Sequence, residues 1–135
     1  MNIAALSNSG NFRLISLNDG TSSNLVYIGY SSNSNRLTFV VRVANNYVVL
    51  ADHNISDATE FTKVALKYKE NDFSLWVDGV EIFTDTSGVT FPEGTLSKLS
   101  LDRVSNVLPF EGKIKDLRVY NTALTDAELQ TLTTL

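Results

Sequence analysis

The sequence predicts an all-β fold, an antiparallel two-sheet sandwich of jelly-roll type that ends in one short C-terminal helix. Three observations predict it. Short runs of alternating apolar and polar residues recur along the chain, and a period of two marks half-buried strands. Clusters of Asn, Asp, Ser and Gly separate these runs at even spacing, as in antiparallel sandwiches. Only the stretch after Ala123 carries a helix-start signal.

The strands follow in order. Asn2–Leu6 reads as a short first strand before the turn cluster Ser7–Asn11. Phe12–Leu17 alternates and stops at Asn18-Asp19-Gly20, a strong turn signal. Leu25–Tyr30 is the third strand, and Ser31–Asn35 is a loop by composition. Arg36–Val43 sets Leu37, Phe39, Val41 and Val43 on one face against Thr38, Val40 and Arg42 on the other. Asn45-Asn46 is predicted to turn the chain into Tyr47–Ala51.

The stretch Lys63–Phe83 carries three more strands. In the first, Val64, Leu66 and Tyr68 share a face opposite Lys63, Ala65, Lys67 and Lys69. In the second, Phe73, Leu75 and Val77 oppose Ser74, Trp76 and Asp78. Asp78-Gly79 is a two-residue hairpin turn, because a type I′ turn needs φ > 0 at both positions. That parity leaves the single tryptophan on the face away from the core. Beyond Phe83, Asp85–Gly88 and Phe91–Gly94 frame a long loop, with Pro92 set against a central strand there. Leu96–Leu101 is predicted to pair again, Asp102–Pro109 is irregular, and Lys113–Tyr120 is the last strand. Thr125-Asp126-Ala127-Glu128 fits the capping-box pattern for a helix over Asp126–Leu132, with Leu124, Leu129 and Leu132 expected to turn to the sandwich.

Two of these stretches carry a family resemblance. Val64–Tyr68 with Phe73–Val80, and Gly112–Leu129, resemble the central hairpin and the closing strand and helix of laminin-G-like, concanavalin A-like lectin/glucanase domains. The resemblance implies that fold over residues 1–135 as a single domain. It leaves function open, since the fold hosts lectins, glycosidases, adhesion modules and spacers. Family members usually have one or two strands before the one that begins here at Asn2. The domain is therefore read as a compact variant or as a piece excised from a longer chain, with a neighbouring subunit supplying the missing edge. The spacing of Asn11–Asn24, Phe61–Gly79 and Leu124–Thr131 is also similar to repeats in bacteriophage tail-fibre and other virion proteins.

Composition narrows the function classes. The 135 residues are 43% hydrophobic, enough for one real core. Eleven basic against fifteen acidic residues give a net charge of −4, which argues against a nucleic-acid groove. No apolar run approaches the length of a membrane span, and the absence of cysteine removes disulfides and thiolate metal sites. Asn, Ser and Thr supply 40 residues, a surface of amides and hydroxyls suited to hairpin turns and to a virion-surface or extracellular setting.

Catalysis is not expected. Retaining glycosidases of this fold need two carboxylates about 5–5.5 Å apart. Glu70 and Asp72 sit in a turn, Glu81 and Asp85 straddle a strand end, and the sole histidine, His53, falls in what reads as a polar loop. Binding is the sharper expectation. Trp76 offers an indole face for a sugar ring, with Lys67 on the same face and Asp102 and Asn106 as orienting loop residues. The resemblance also raises one Ca²⁺ at the rim, for which Asp52-His53-Asn54 and Asp102–Asn106 are the oxygen-rich stretches. No dense run of carboxylates exists for the six to eight oxygens calcium takes, so no cofactor is expected. The reading is a non-enzymatic carbohydrate-binding module on a virion or cell surface, its partner a glycan or surface polysaccharide, with homo-oligomers or neighbouring virion subunits as further partners. The alternative is a structural or assembly module of a phage particle with no glycan ligand.

Overall fold

The computed structural model describes all residues, 1–135. Ten strands and one helix follow in order: β1 (Asn2–Ala5), β2 (Arg13–Asn18), β3 (Leu25–Tyr30), β4 (Arg36–Val43), β5 (Asn46–Asn54), β6 (Thr62–Lys69), β7 (Asp72–Val77), β8 (Val80–Asp85), β9 (Lys98–Ser100), β10 (Gly112–Lys115) and α1 (Asp126–Thr133). They form two antiparallel five-stranded sheets. Sheet A has the order β10-β1-β6-β7-β8, and sheet B the order β5-β4-β3-β2-β9. This is the all-β sandwich with one short helix that the residue pattern predicts.

Strand parity decides the core. Ile15, Ile28, Leu37 and Phe39 of sheet B pack against Ile3, Val64, Leu75 and Val77 of sheet A. Tyr30 is fully buried among them and donates its hydroxyl to the Ile3 carbonyl at 3.1 Å. A second cluster of Val26, Val41, Val49 and Phe73 extends the core toward the other end. At roughly 25 cal/mol per Å² of apolar surface removed from water, each such side chain contributes on the order of 1.5–3 kcal/mol.

The turns obey their chemistry. Asp78 and Gly79 both adopt positive φ, 47° and 82°, and Asp78 Oδ1 accepts the Lys63 amide at 2.8 Å. The β4–β5 turn falls on Ala44-Asn45, at φ 47° and 69°, one residue earlier than predicted. The capping box of α1 is complete, with Thr125 Oγ1 accepting from the Glu128 amide at 3.3 Å and the Glu128 carboxylate accepting from the Thr125 amide at 2.8 Å.

Three predicted elements differ. β5 continues through Asn54, so His53 lies in a strand opposite Leu37 rather than in a loop. β9 is cut to Lys98–Ser100. The last strand stops at Lys115 instead of reaching Tyr120, because Asp116 turns to φ 52° and takes the chain off the sheet.

Gly29 shows how tightly β2 and β3 approach. A Cβ there would lie 2.0 Å from the Arg13 carbonyl oxygen and 3.1 Å from Leu14 Cα, both backbone atoms. Gly29→Ala must therefore push two central strands apart, and an overpacking cost of at least about 3 kcal/mol is expected. Urea denaturation measures it, and a midpoint unchanged from the parent would refute this close approach.

Candidate functional site

The two sheets turn very different outer faces to their surroundings. On sheet A, Ala65 stands opposite Trp76 and Lys67 opposite Ser74, as the hairpin parity requires. Helix α1 lies over this face. Lys67 Nζ reaches Asp126 on the helix at 2.9 Å and Asp72 on β7 at 2.7 Å. Thr133 Oγ1 accepts the Gly79 amide at 3.2 Å, and Lys63 Nζ donates to the Thr134 carbonyl at 2.7 Å. Leu129 and Thr133 are buried in the contact, whereas Leu132, expected to join them, is exposed, since it falls on the side of α1 away from the sheet.

Trp76 is consequently only 7% exposed, and its indole N–H donates to Ser74 Oγ at 3.3 Å. The expected stacking platform is thus a packing residue under a helix, and Lys67 is a buried anchor instead of a donor to a sugar hydroxyl. The physical reason is α1: parity places Trp76 away from the core, and the amphipathic helix then covers that side. Asp102 and Asn106 belong to a loop of the opposite sheet, so the structure does not bring the four expected residues into one site.

Sheet B is different, for α1 packs on β6, β7 and β8 instead. In register across its outer face run Leu50, Val40, Tyr27, Ser16 and Ser100. Beside that row stand Tyr47, Arg42, Leu25 and Asn18, and on its other side Asp52, Thr38 and Gly29. Leu25, Val40, Thr38, Ser16 and Asn18 are buried on this face, and Tyr27, Arg42, Tyr47 and Leu50 stand among them. Tyr47 is 55% and Leu50 67% exposed. The loop after β9 adds Arg103, whose carbonyl accepts Ser16 Oγ at 2.6 Å.

Charge gathers around Tyr27. Burial raises the pKa of its hydroxyl, Tyr47 and Asp52 push the same way, and Arg103 and Arg42 pull it down. All four therefore lie within electrostatic reach of one phenol. The Arg42 guanidinium sits 5.1 Å from the Tyr47 ring centroid and donates to the Ser22 carbonyl at 2.9 Å. Arg36 bridges to Asp52 at 3.2 Å. The Nε atoms of Arg36, Arg42 and Arg103 have no acceptor within the protein. Asp102 supports the same loop: its Oδ2 accepts the Asn106 amide at 2.6 Å, while its Oδ1 has no partner. Asp102 and Asn106 hence belong to the rim of this face.

The side chains here do not fit calcium. Asp52 is held in β5 by Arg36, Asp102 stands without a second carboxylate, and no three His, Asp or Glu side chains gather as a metal cluster. Of the carboxylates weighed for catalysis, Asp72 is engaged by Lys67 and Asp85 accepts the Ser87 amide at 2.9 Å.

A family model of the concanavalin A-like lectin/glucanases superfamily matches residues 2–130. The chain belongs to that superfamily. Among solved structures, it is similar to the CBM40 module of the Ruminococcus gnavus IT-sialidase, with a TM-score of 0.76 at 20% identity, covering 98% of this chain and 79% of that one. At that identity the likeness concerns the fold. A search of curated proteins found no match.

The α1 anchor yields a prediction. Burial works against the Lys67 ammonium, but its hydrogen bonds to Asp72 and Asp126 outweigh that and hold its pKa above the ordinary lysine value. A raised folded pKa contributes stability fully below the unfolded value, about 10.4, and loses it as pH rises through the folded one. Thermal stability should thus fall above about pH 10.5, and fall less in Lys67→Met. Asp126→Asn should cost about 1 kcal/mol and make Trp76 more accessible to acrylamide quenching. Unchanged quenching would show that this ion pair does not hold the helix down.

Proposed function

We propose that this protein is a non-enzymatic carbohydrate-recognition module that binds glycan on the outer face of sheet B. The observation that carries the proposal is the grouping of Tyr27, Arg42, Tyr47, Asp52 and Arg103 on the sheet face that α1 leaves free. Tyrosine rings offer an apolar surface to the C–H face of a sugar ring. The guanidinium groups of Arg42 and Arg103 and the Asp52 carboxylate are the kinds of donor and acceptor that sugar hydroxyls need. Asp102 shapes the rim through the Asn106 amide. Superfamily membership and the likeness to a carbohydrate-binding module support the reading. The resemblance to virion repeats, with the surface rich in Asn, Ser and Thr, supports display on a particle or outside a cell.

The sealing of Trp76 favours a second reading, in which the domain is an assembly module whose contacts run through sheet edges and loops. A glycan array with and without EDTA separates the two. Binding is expected, and expected to survive EDTA. Arg103→Ala and Tyr47→Ala should each weaken the selected glycan about tenfold or more, which is about 1.4 kcal/mol. Trp76→Phe should lower thermal stability and leave affinity unchanged. An array with no binder would give the assembly reading the field, and binding that Arg103→Ala and Tyr47→Ala leave intact would refute the site on sheet B.

A further inference from the structure

The outer face of sheet B gathers positive charge in a protein whose net charge is −4. Arg42 lies in register with Tyr47 on one side and with Leu25, Asn18 and Lys98 on the other. In the next row Tyr27 stands opposite Ser16, whose hydroxyl donates to the Arg103 carbonyl at 2.6 Å. Tyr27 therefore has Arg42 diagonally on its β4 side and the Arg103 loop on its β2 side. Two strand spacings set β2 and β4 about 10 Å apart. Burial raises the pKa of the Tyr27 hydroxyl, and Arg103 and Arg42 both oppose that rise.

These cations are not neutralised within the domain. Its ion pairs join Arg36 to Asp52, Lys67 to Asp72 and Asp126, and Arg118 to Asp116, and none includes Arg42, Lys98 or Arg103. The carboxylates of this sheet are engaged elsewhere. Asp52 is held by Arg36, Asp102 accepts the Asn106 amide at 2.6 Å, and Asp19 accepts from Thr21 Oγ1 at 2.7 Å and Asn24 Nδ2 at 2.9 Å. The loop that carries Arg103 is also strained. Ser105, Asn106 and Leu108 take φ of 55°, 62° and 56°, a region that disfavours side chains such as those of Ser105 and Leu108. Such strain persists where contacts over-determine it, and it gathers at ligand sites. Here the Arg103 amide donates to the Val107 carbonyl at 2.8 Å and the Leu14 amide to the Leu108 carbonyl at 3.3 Å.

We propose that the ligand of this face is an acidic glycan, whose carboxylate or sulfate group is taken by Arg103 and Arg42 on either side of Tyr27. The Asp102–Asn106 loop is then the element that positions Arg103. This ligand class rests on the carbohydrate reading of sheet B and adds a charge to it. Two guanidinium groups near one phenol repel each other in the free domain, and an anion between them removes that cost. Guanidinium meets an oxyanion through paired, charge-assisted hydrogen bonds, while the Tyr27 and Tyr47 rings meet the C–H face of the sugar. A neutral sugar leaves both charges unanswered. Nucleic acid is also anionic, but it needs a longer basic track than Arg42 and Arg103 supply.

A glycan array holding carboxylated, sulfated and neutral forms of the same backbones tests the charge. The best binder is expected to be acidic, and its affinity to fall as salt is added. Carboxyl reduction or desulfation of that binder, whichever applies, should weaken it about tenfold or more and so identifies the anionic group. Arg103→Gln and Arg42→Gln should each weaken it as much, and Arg103→Lys less than Arg103→Gln. Thermal melting of each variant accompanies the titrations; Arg103 is held through its backbone, so Arg103→Gln should melt like the parent. Lys113→Gln, on β10 of the other sheet, should leave affinity unchanged. A best binder with no anionic group, or one whose affinity survives removal of that group, overturns the proposal and leaves the carbohydrate reading standing. An acidic binder untouched by Arg103→Gln and Arg42→Gln overturns it as well, as does equal affinity for a single-stranded oligonucleotide, the mark of an unselective basic patch. An array with no binder at all overturns the carbohydrate reading too.

Discussion

The ammonium of Lys67 decides which side of this sandwich can meet another molecule. Buried without partners, such a charge would cost several kcal/mol. It is tolerated because Asp72 and Asp126 both lie within hydrogen-bonding distance, and the pair spans from β6 to the first turn of α1. The capping box begins the helix at Thr125, so Asp126 falls where a negative charge also suits the helix dipole. A helix of eight residues is too short to persist in isolation; it holds here because its N-terminus is capped and its buried side is tied down. With α1 fixed, the outer face of sheet A is covered at Lys67 and Trp76, while α1 makes no such cover over sheet B.

Much of the fold was legible because its causes are local. Alternation in Arg36–Val43 and Lys63–Val77 fixes which residues enter the core, and Asp78-Gly79 could hardly be anything but a tight turn. The helix was legible for the same reason, since Thr125 and Glu128 lie three residues apart. Its docking place was not. Parity turns Trp76 away from the core, but the contact that seals it joins residues 59 positions apart, and no local pattern carries that information. Asp102 and Asn106 were assigned to a loop from composition alone, while the gathering of Tyr27, Arg42, Tyr47 and Arg103 on one face was not anticipated. They come from three strands and a loop, and become neighbours only through register. A signal existed: Tyr27 and Arg42 both stand opposite the core-facing parity of their strands, Val26/Ile28 and Phe39/Val41.

The end of β10 was not legible in the alternation. Asp116 takes φ 52° directly after Lys115, the residue opposite Asn2, and Leu117 and Val119, which continue the alternation in sequence, fall outside any strand.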